Sequence, residues 1–445
     1  MTNPDLLITG ATLPDGTRSD ILIQGTHITE VGSGLSASGA QKIDADGLIA
    51  LPGLVDLHTH LREPGYEQSE TVLTGTQAAA LGGFTSVFAM ANTLPIADTA
   101  GVVEQVLRLG DEAGYATVRP IGAVTKGLEG LQLAELGAMA NSRAAVRVFS
   151  DDGKCVFDPL IMRRALEYVK TFGGVIAQHA QEPRLTVDAQ MNEGEVSARL
   201  GLAGWPAVAE ESIIARDVLL AEHTGSRLHI CHLSTAGSVD VIRWAKKRGI
   251  NVTAEVTPHH LLLTDEKAES YDARFKVNPP LRRAEDVMAL REALADGTID
   301  IVATDHAPHP IESKDCEWGA AAFGMVGLES ALAVVQTTMV ETGLIGWEDV
   351  ARILSEAPAR IGGLETHGQK LTPGVQAEIV LVDPSTRRNF GVEDLASLSH
   401  NSPYLGIELV GQVVSTIHQG YLTAADRSVV AAETVAAHAE SVSRG

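Results

Sequence analysis

Two histidines separated by one residue, His58 and His60, follow an apolar stretch near the start of the chain, and Arg62 comes two positions later. In a strand, residues i and i+2 point to the same side, so both imidazoles can reach one metal ion. An arginine can hold a carboxylate through two parallel hydrogen bonds. A lone His-x-His is equally compatible with two hydrogen-bonded histidines at a strand end. The spacing therefore predicts a metal and an anionic substrate only if the rest of the chain supplies further ligands.

Further residues of ligand type follow other apolar segments along the chain. They are Asp151-Asp152, His179, His232 and Asp305. Imidazole and carboxylate donors of this kind suit Zn²⁺ or a similar borderline ion. The set exceeds what one tetrahedral ion needs, so it predicts a two-metal site with a shared carboxylate and ions ~3.5–4 Å apart. Asp305 is both a candidate ligand and the candidate general base that takes the proton from the nucleophilic water.

The elements that must position these residues alternate along the chain. Eight short apolar segments are predicted as strands, and helical patterns separate most of them. The predicted strands cover residues 54–57, 86–90, 118–123, 145–149, 175–178, 228–231, 251–256 and 299–303. This alternation predicts an α/β fold, a (β/α)8 TIM barrel, whose active site lies at the C-terminal ends of the strands. The runner-up, a doubly wound open sheet, lacks a Gly-x-Gly-x-x-Gly turn opening its first helix.

Both ends of the chain show short strands broken by turns. They are expected to pair into one small β-domain that flanks the barrel. The predicted domains are a composite β-sandwich from residues 1–52 and 365–426, the barrel from residues 53–364, and a C-terminal helix or tail over residues 427–445.

The composition narrows the class of protein. The chain has 445 residues, 44% of them hydrophobic, and a net charge of −23, which argues against nucleic acid or an anionic membrane as a partner. Its three cysteines form no Cys-x-x-Cys pair, as expected for a reducing cytosol. We find no signal-peptide pattern and no apolar run that could span a bilayer. A cytoplasmic enzyme is the expectation.

The remaining histidines divide into two groups. His259-His260 and His306 adjoin ligand-bearing segments, where they can orient a ligand or simply bond within the core. The histidines outside any such segment are expected in solvent: His27, His223, His367, His400, His418 and His438.

Taken together, the segments resemble the dihydroorotases of the amidohydrolase superfamily, of the bacterial long-chain type, over nearly the whole chain. The segments that carry the resemblance are Asp56-x-His58-x-His60-Leu61-Arg62-Glu63-Pro64-Gly65, Met90-Ala91-Asn92-Thr93, Ser150-Asp151-Asp152-Gly153, His232-Leu233-Ser234-Thr235, Thr257-Pro258-His259-His260, Lys276-Val277-Asn278-Pro279-Pro280-Leu281-Arg282, Thr304-Asp305-His306-Ala307-Pro308-His309 and Phe323-Gly324-Met325-Val326-Gly327-Leu328-Glu329. The family interconverts dihydroorotate and N-carbamoyl-L-aspartate in pyrimidine biosynthesis. The resemblance implies this reaction, with a metal-held hydroxide attacking the ring carbonyl and Asp305 as general base and acid.

The resemblance also implies roles for individual residues. The implied metal ligands are His58, His60, His179, His232, Asp305 and the bridging carboxylate of the Asp-Asp-Gly segment, assigned to Asp152 with Asp151 as the fallback. One or two Zn²⁺ ions per subunit are implied, with two favoured. The implied substrate contacts are Arg62 and Asn92 to the carboxylate, Asn278 and His309 to the ring edge and carboxylate, and backbone groups around Phe323-Gly324 to the imide. Three questions stay open: whether the protein is a homodimer, whether it associates with aspartate transcarbamoylase, and whether loop 310–318 closes over the substrate.

Two positions depart from the family pattern. Many superfamily members bridge their metals with a carboxylated lysine on the fourth strand, where this chain has Arg147. A guanidinium stays protonated and cannot form a carbamate, which favours the aspartate bridge and leaves occupancy of the second metal site open. The second departure is Ala91, where the family often has proline, and little consequence is expected.

Two other functions are compatible with parts of this pattern. A hydantoinase or allantoinase would share the fold and metals, but its substrate has no carboxylate for Arg62, Asn92 and Asn278 to hold. A catalytically dead paralogue that scaffolds a partner enzyme would not need the full set of ligands.

Overall fold

The computed structural model describes residues 5–435. The strands are β1 (Leu6–Thr12), β2 (Arg18–Gln24), β3 (His27–Gly32), β4 (Gln41–Asp44), β5 (Ile49–Pro52), β6 (Leu54–Thr59), β7 (Phe84–Ala89), β8 (Thr117–Pro120), β9 (Val148–Phe149), β10 (Val175–Gln178), β11 (Met191–Asn192), β12 (Gly204–Trp205), β13 (Leu228–Ile230), β14 (Val252–Val256), β15 (Ile301–Val302), β16 (Ile379–Asn389), β17 (Glu408–His418), β18 (Tyr421–Ala425) and β19 (Ser428–Val429). The α-helices are α1 (Val72–Leu81), α2 (Ala100–Ala113), α3 (Leu136–Asn141), α4 (Pro159–Val169), α5 (Glu195–Leu200), α6 (Val208–Thr224), α7 (Ala236–Lys247), α8 (Pro258–Leu262), α9 (Ala284–Ala295), α10 (Ala331–Val335), α11 (Trp347–Ala351) and α12 (Ala357–Gly362). Short 3₁₀ and π segments connect or extend them.

Eight parallel strands form the predicted barrel. Strands β6 to β8 make one parallel sheet, and β9, β10, β13, β14 and β15 make another. Parallel bridges join the two sheets on both sides, between Gly122 and Phe149 and between Thr59 and His306. The (β/α)8 architecture predicted from the alternation of strands and helices is therefore confirmed.

The strands form where the sequence can bury both of their faces. Every residue of β6 and β7 is buried, as expected for parallel strands covered by helices outside and packed side chains inside. The inward-facing side chains include Val55, Leu57 and Phe88, which belong to one apolar cluster within the barrel. The barrel is thus filled by side chains below its C-terminal end, which leaves polar residues at that end to form a site.

A sheet from both ends of the chain flanks the barrel, as expected. Its strands run in the order β19-β18-β17-β16-β5-β1-β2-β3, with β4 paired to β1. The two ends meet where β5 pairs antiparallel with β16. Ser428 and Val429 extend this sheet, whereas residues 436–445 of the predicted C-terminal helix or tail lie outside the described residues. The domain boundaries stay predictions.

Within residues 5–435, no helix combines the length and apolar character needed to cross a bilayer.

Candidate active site

Six side chains from the ends of five barrel strands converge at one end of the barrel. They are His58 and His60 at β6, Asp152 after β9, His179 after β10, His232 after β13 and Asp305 after β15. Each is buried, with at most 4% of its surface exposed. Asp56 helps to align the first and last of these strands, because its carboxylate accepts hydrogen bonds from the backbone and hydroxyl of Thr304 at 2.8 and 2.6 Å. Asp305 is thereby held beside the two histidines of β6.

The carboxylate of Asp152 lies between two pairs of histidines. Its Oδ2 is 3.4 Å from Nε2 of both His58 and His60. Its Oδ1 is 3.1 Å from His179 Nδ1 and 3.0 Å from His232 Nε2. Asp305 Oδ1 faces the first pair, 3.4 Å from His58 Nε2 and 3.1 Å from His60 Nε2. One carboxylate with a different oxygen toward each pair has the geometry of a bridging ligand.

The neighbouring carboxylate, Asp151, turns away from this group. Its Oδ1 accepts hydrogen bonds from the backbone N–H groups of Val124 and Thr125 at 2.8 and 2.9 Å. Its Oδ2 accepts from the hydroxyl of Thr125. Burial raises the pKa of Asp151 to about 6. Asp151 therefore braces the loop after β8 and does not enter the group of potential ligands.

The donor set fits a divalent cation. Nε2 of His58 is buried and makes no hydrogen bond within residues 5–435, although polar atoms in protein interiors are nearly always paired. Burial alone would raise the pKa of Asp152, but His58 and hydrogen bonds from His179 and His232 hold it well below its usual range. Ionised carboxylates beside imidazole nitrogens are the ligands that divalent metal ions of the zinc type prefer. The residues present thus suit the metal that the fold implies.

A second layer of hydrogen bonds orients the histidines. His58 Nδ1 donates to Glu255 Oε1 at 2.6 Å, and the other oxygen of Glu255 accepts from His229 Nε2 at 2.9 Å. The backbone N–H of His232 also donates to Glu255 Oε1, at 3.2 Å. These bonds leave His58 Nε2 facing the site, the usual arrangement behind a metal-binding histidine. Reasoning from the sequence missed Glu255, although a lone carboxylate in the apolar strand β14 was a usable signal.

Of two predicted substrate contacts, Asn92 bonds directly to one of these histidines, and Asn278 reaches another through Gln181. Asn92 Oδ1 accepts from His60 Nδ1 at 2.9 Å. Asn278 Nδ2 donates to Gln181 Oε1 at 3.3 Å, and the same oxygen accepts from His179 Nε2 at 2.7 Å. Asn278 Oδ1 is buried and has no hydrogen-bond partner among the described residues. Both amides therefore support the histidines, and their roles in binding substrate stay predictions.

Arg62 and His309 lie together at the mouth of the site. Arg62 Nε donates to the Pro308 carbonyl at 3.2 Å, and its Nη2 is 3.5 Å from His309 Nε2. Burial, followed by the charge of Arg62, lowers the pKa of His309 to about 3. His309 is thus a neutral hydrogen-bonding group beside a cation, which suits recognition of an anion. Arg62, His232 and Asp305 all have positive φ, at 62°, 31° and 48°, a strain that is concentrated at functional sites.

The segment around Phe323-Gly324 is largely engaged within the protein. The Phe323 carbonyl accepts from His309 Nε2 at 2.8 Å. The Gly324 N–H donates to the Lys276 carbonyl at 3.0 Å, and the Gly324 carbonyl accepts from Lys314 Nζ at 2.7 Å. A side chain at Gly324 would meet the His309 ring at 2.8 Å, and its φ of +135° also requires glycine. The predicted contact between this backbone and an imide stays a prediction.

Loop 310–318 is anchored by a buried lysine. Lys314 Nζ donates to the carbonyls of Lys276, Ala322 and Gly324 at 3.2, 2.8 and 2.7 Å. Ile311, three residues earlier, is 71% exposed. The loop is therefore fixed to the protein at Lys314 and exposed to solvent at Ile311.

Arg147 lies away from the metal-binding group. Its Nη1 donates to the carbonyls of Ala140 and Val146, each at 2.9 Å. The position that holds a carboxylated lysine in many superfamily members is thus used here for local bracing.

Comparison with solved structures supports the class to which this fold and site belong. L-Hydantoinase (dihydropyrimidinase) from Arthrobacter aurescens superposes with a TM-score of 0.86 at 25% identity, covering 96% of this chain and 98% of that one. A (β/α)8 barrel with a flanking sheet from both chain ends and grouped histidines and aspartates defines a cyclic amide hydrolase of the amidohydrolase type.

Sequence comparisons narrow the class to one family. Residues 47–238 match the family model described as Dihydro-orotase-like. The dihydroorotase of Leifsonia xyli subsp. xyli is 73% identical over 97% of this chain and 98% of the relative. That of Streptomyces coelicolor is 68% identical over 94% of this chain and 98% of the relative. The chain belongs to the dihydroorotase family.

Proposed function

We propose that this protein catalyses the reversible hydrolysis of L-dihydroorotate to N-carbamoyl-L-aspartate, as a Zn²⁺-dependent enzyme of pyrimidine biosynthesis. The observation that carries the proposal is the group of four histidines and two aspartates at the C-terminal end of the barrel, in a chain that is 73% identical to a dihydroorotase.

The residues that would hold the metal are His58, His60, His179, His232, Asp152 and Asp305, and Asp152 would be the ligand common to two ions. The two faces of the Asp152 carboxylate, at 3.4 Å from one histidine pair and 3.0–3.1 Å from the other, support this assignment. Divalent ions held there would lower the pKa of a water molecule and polarise the substrate carbonyl.

Asp305 is the group that moves the proton. Its contacts with His58 and His60 run through Oδ1, which leaves Oδ2 to accept a proton from the attacking water. Burial would raise the pKa of Asp305, but His58 and His60 hold it below its usual value, so it is ionised and able to accept. As the water oxygen bonds to the ring carbonyl carbon and the C–N bond breaks, Asp305 passes the proton to the departing nitrogen. Ring closure follows the same path in reverse.

The substrate carboxylate is held by Arg62, with His309 and Asn92 beside it. The guanidinium and the neutral His309 ring lie next to each other at the mouth of the site. A cyclic imide without a carboxylate would leave this half-buried cation unpaired, which disfavours hydantoin and allantoin as substrates. Asn278 then meets the ring edge, and the Phe323-Gly324 backbone meets the imide.

The test is an assay of the zinc-loaded protein with dihydroorotate, hydantoin and allantoin, together with Asp305→Asn. We expect turnover of dihydroorotate alone, and a ~10²–10⁴-fold loss in the variant in both directions, because asparagine cannot accept the proton. Circular dichroism and metal analysis serve as controls. A folded, metal-loaded Asp305→Asn protein with near-normal rates would move the proton transfer to another group, and preferred turnover of hydantoin would refute the substrate.

The metal is expected to be zinc, with two ions per chain, and mass spectrometry of the purified protein measures both. Three further expectations concern the protein in the cell: a homodimer, an association with aspartate transcarbamoylase, and a cytoplasmic location. Light scattering of the protein alone and mixed with that enzyme tests the first two.

A further inference from the structure

A second group of metal-ligating side chains lies outside the active site. His367, Glu378 and His418 come together where the barrel joins the flanking sheet. His367 follows α12, Glu378 immediately precedes β16, and His418 ends β17. They are 4%, 4% and 3% exposed. The expectation that His367 and His418 lie in solvent was therefore wrong, because packing between the sheet and the barrel covers them.

The donor atoms are spaced as metal ligands are. His418 Nδ1 is 2.9 Å from Glu378 Oε2, and His367 Nε2 is 3.7 Å from Glu378 Oε1. One donor atom from each residue lies within 4.8 Å of the others. Tetrahedral ligands at ~2.0–2.1 Å from Zn²⁺ stand about 3.3–3.4 Å apart, a spacing that lies between the two distances to Glu378.

One of these atoms has no hydrogen-bond partner within the part of the chain that the structure describes. His367 Nδ1 is 3.0 Å from the hydroxyl of Thr366, but its buried Nε2 forms no hydrogen bond. The backbone of Thr85 also faces the ring, but Nε2 has no hydrogen-bond partner among residues 5–435. A buried polar atom left unpaired has a cost in stability. A cation shared with Glu378 would remove that cost.

The surroundings of the carboxylate also suit a cation. Glu378 Oε1 accepts from Gln376 Nε2 at 2.8 Å and from the Gln419 N–H at 3.2 Å, bonds that fix its orientation. The two oxygens of Glu378 each face one of the two histidines. The carboxylate is thus held where it can share a cation with both imidazoles.

We propose that His367, Glu378 and His418 form a second, structural site for a divalent transition-metal ion of the zinc type. Two histidines and one glutamate are a known zinc ligand set, in which water takes the fourth position. The site lies at the seam between the two parts of the fold, because the Glu378 carbonyl also accepts from the N–H of Gly53, the residue between β5 and β6, at 2.8 Å. An ion bound there stabilises the folded chain, since the unfolded chain does not assemble the three ligands.

The experiment separates this site from the active site. A triple variant, His58→Gln/His60→Gln/Asp152→Asn, removes ligands from both halves of the active-site group. After incubation with Zn²⁺ or Co²⁺ and gel filtration, we expect this variant to retain about one metal equivalent per chain, and Co²⁺ to give the visible absorption of a tetrahedral site. Adding His367→Gln should remove that equivalent and abolish the rise in melting temperature that Zn²⁺ causes. His367 is chosen because its Nε2 forms no hydrogen bond with any described residue.

The matched control is His27→Gln, an exposed histidine bonded to Thr26, which should change neither quantity. The proposal is overturned if the triple variant binds no metal, or if it binds an equivalent that His367→Gln leaves in place. If the triple variant does not fold, the same comparison is made in the wild-type background. There, His367→Gln should lower total metal by one equivalent, and an unchanged total overturns the proposal.

Discussion

Glu255 offers a sharp test of how the site is organised, because it contacts no substrate and no ion directly in our assignment. Its Oε1 accepts from His58 Nδ1 at 2.6 Å and from the His232 N–H at 3.2 Å, and its Oε2 accepts from His229 Nε2 at 2.9 Å. Burial would raise its pKa, but His58 and His229 hold the pKa well below the usual range. Glu255 is therefore an ionised acceptor that serves two metal-facing residues.

The perturbation is Glu255→Gln, which keeps the shape and removes the charge. With its oxygen toward His58, the new amide would point its NH₂ group at His229. That histidine can adapt by donating from Nδ1 to Thr253 Oγ1, at 2.8 Å, and accepting at Nε2. The remaining loss is the charge on the bond to His58. A charge-assisted hydrogen bond is roughly twice as strong as a neutral one, so about 1.4 kcal/mol is lost. This predicts ~10-fold weaker metal binding, the lower end of the range for such partners.

The assay is competition for Zn²⁺ with a chromophoric chelator, followed by turnover of dihydroorotate as a function of free Zn²⁺. We expect the activity curve to shift to higher metal with most of kcat recovered at saturation. Glu210→Gln is the matched control, a buried glutamate that accepts from Ser234 and Ser238 instead of from a metal-facing histidine. Unchanged metal affinity in a folded Glu255→Gln protein would refute the reasoning.

Three further predictions test other parts of the site and its loop. Arg62→Met should lower kcat/KM for dihydroorotate by roughly 10–150-fold, because a lost charged hydrogen bond costs ~1.5–3 kcal/mol. Its metal content should stay normal, as should that of the control variant Arg147→Met. Equal kcat/KM in the two variants would exclude a role of Arg62 in binding the substrate carboxylate. Asp152→Asn should lose metal and activity together, whereas Asp151→Asn should keep its metal, as measured by elemental analysis. The reverse pattern would make Asp151 the metal ligand and Asp152 the residue that braces the loop. Burial, followed by the charge of Lys276, lowers the pKa of Lys314 to about 7. Between about pH 7 and 10 the Lys314 amine is therefore protonated more in the unfolded chain than in the folded one. The free energy of unfolding of wild type, relative to that of Lys314→Met, should then rise with pH across this window, by up to ~1.4 kcal/mol per pH unit. Urea unfolding at several pH values measures the difference. A difference independent of pH would show that Lys314 stays charged.

Much of the barrel could be predicted from the sequence because its signals are local. The predicted strand 175–178 has the same bounds as β10. The predicted strands 54–57 and 251–256 begin and end within two residues of the bounds of β6 and β14. Apolar runs of this length can be buried on both faces, and the helical patterns between them identify a parallel arrangement. The predicted strands 145–149 and 299–303 shrink to Val148–Phe149 and Ile301–Val302, because ladder pairing with neighbours, and not propensity, sets where a strand ends.

The same local signals placed most candidate ligands. A histidine or aspartate directly after a barrel strand must lie at the C-terminal end, whatever the rest of the chain does. His58, His60, His179, His232 and Asp305 were therefore predictable as neighbours in space. The sequence did not decide whether Asp151 or Asp152 faces the histidines. The two residues are adjacent in a loop, and only the backbone conformation there directs the side chain of Asp152 into the site.

What the sequence determined by itself was the class of fold, the edge of the barrel that carries polar residues, and the family resemblance. Only the tertiary structure decided which polar atoms pair across that edge. Glu255 lies behind His58, and Glu378 contacts both His367 and His418. These contacts join residues from separate elements of the chain. Such contacts depend on how separate elements pack, and the charge and burial they impose on a side chain cannot be read from its neighbours in sequence.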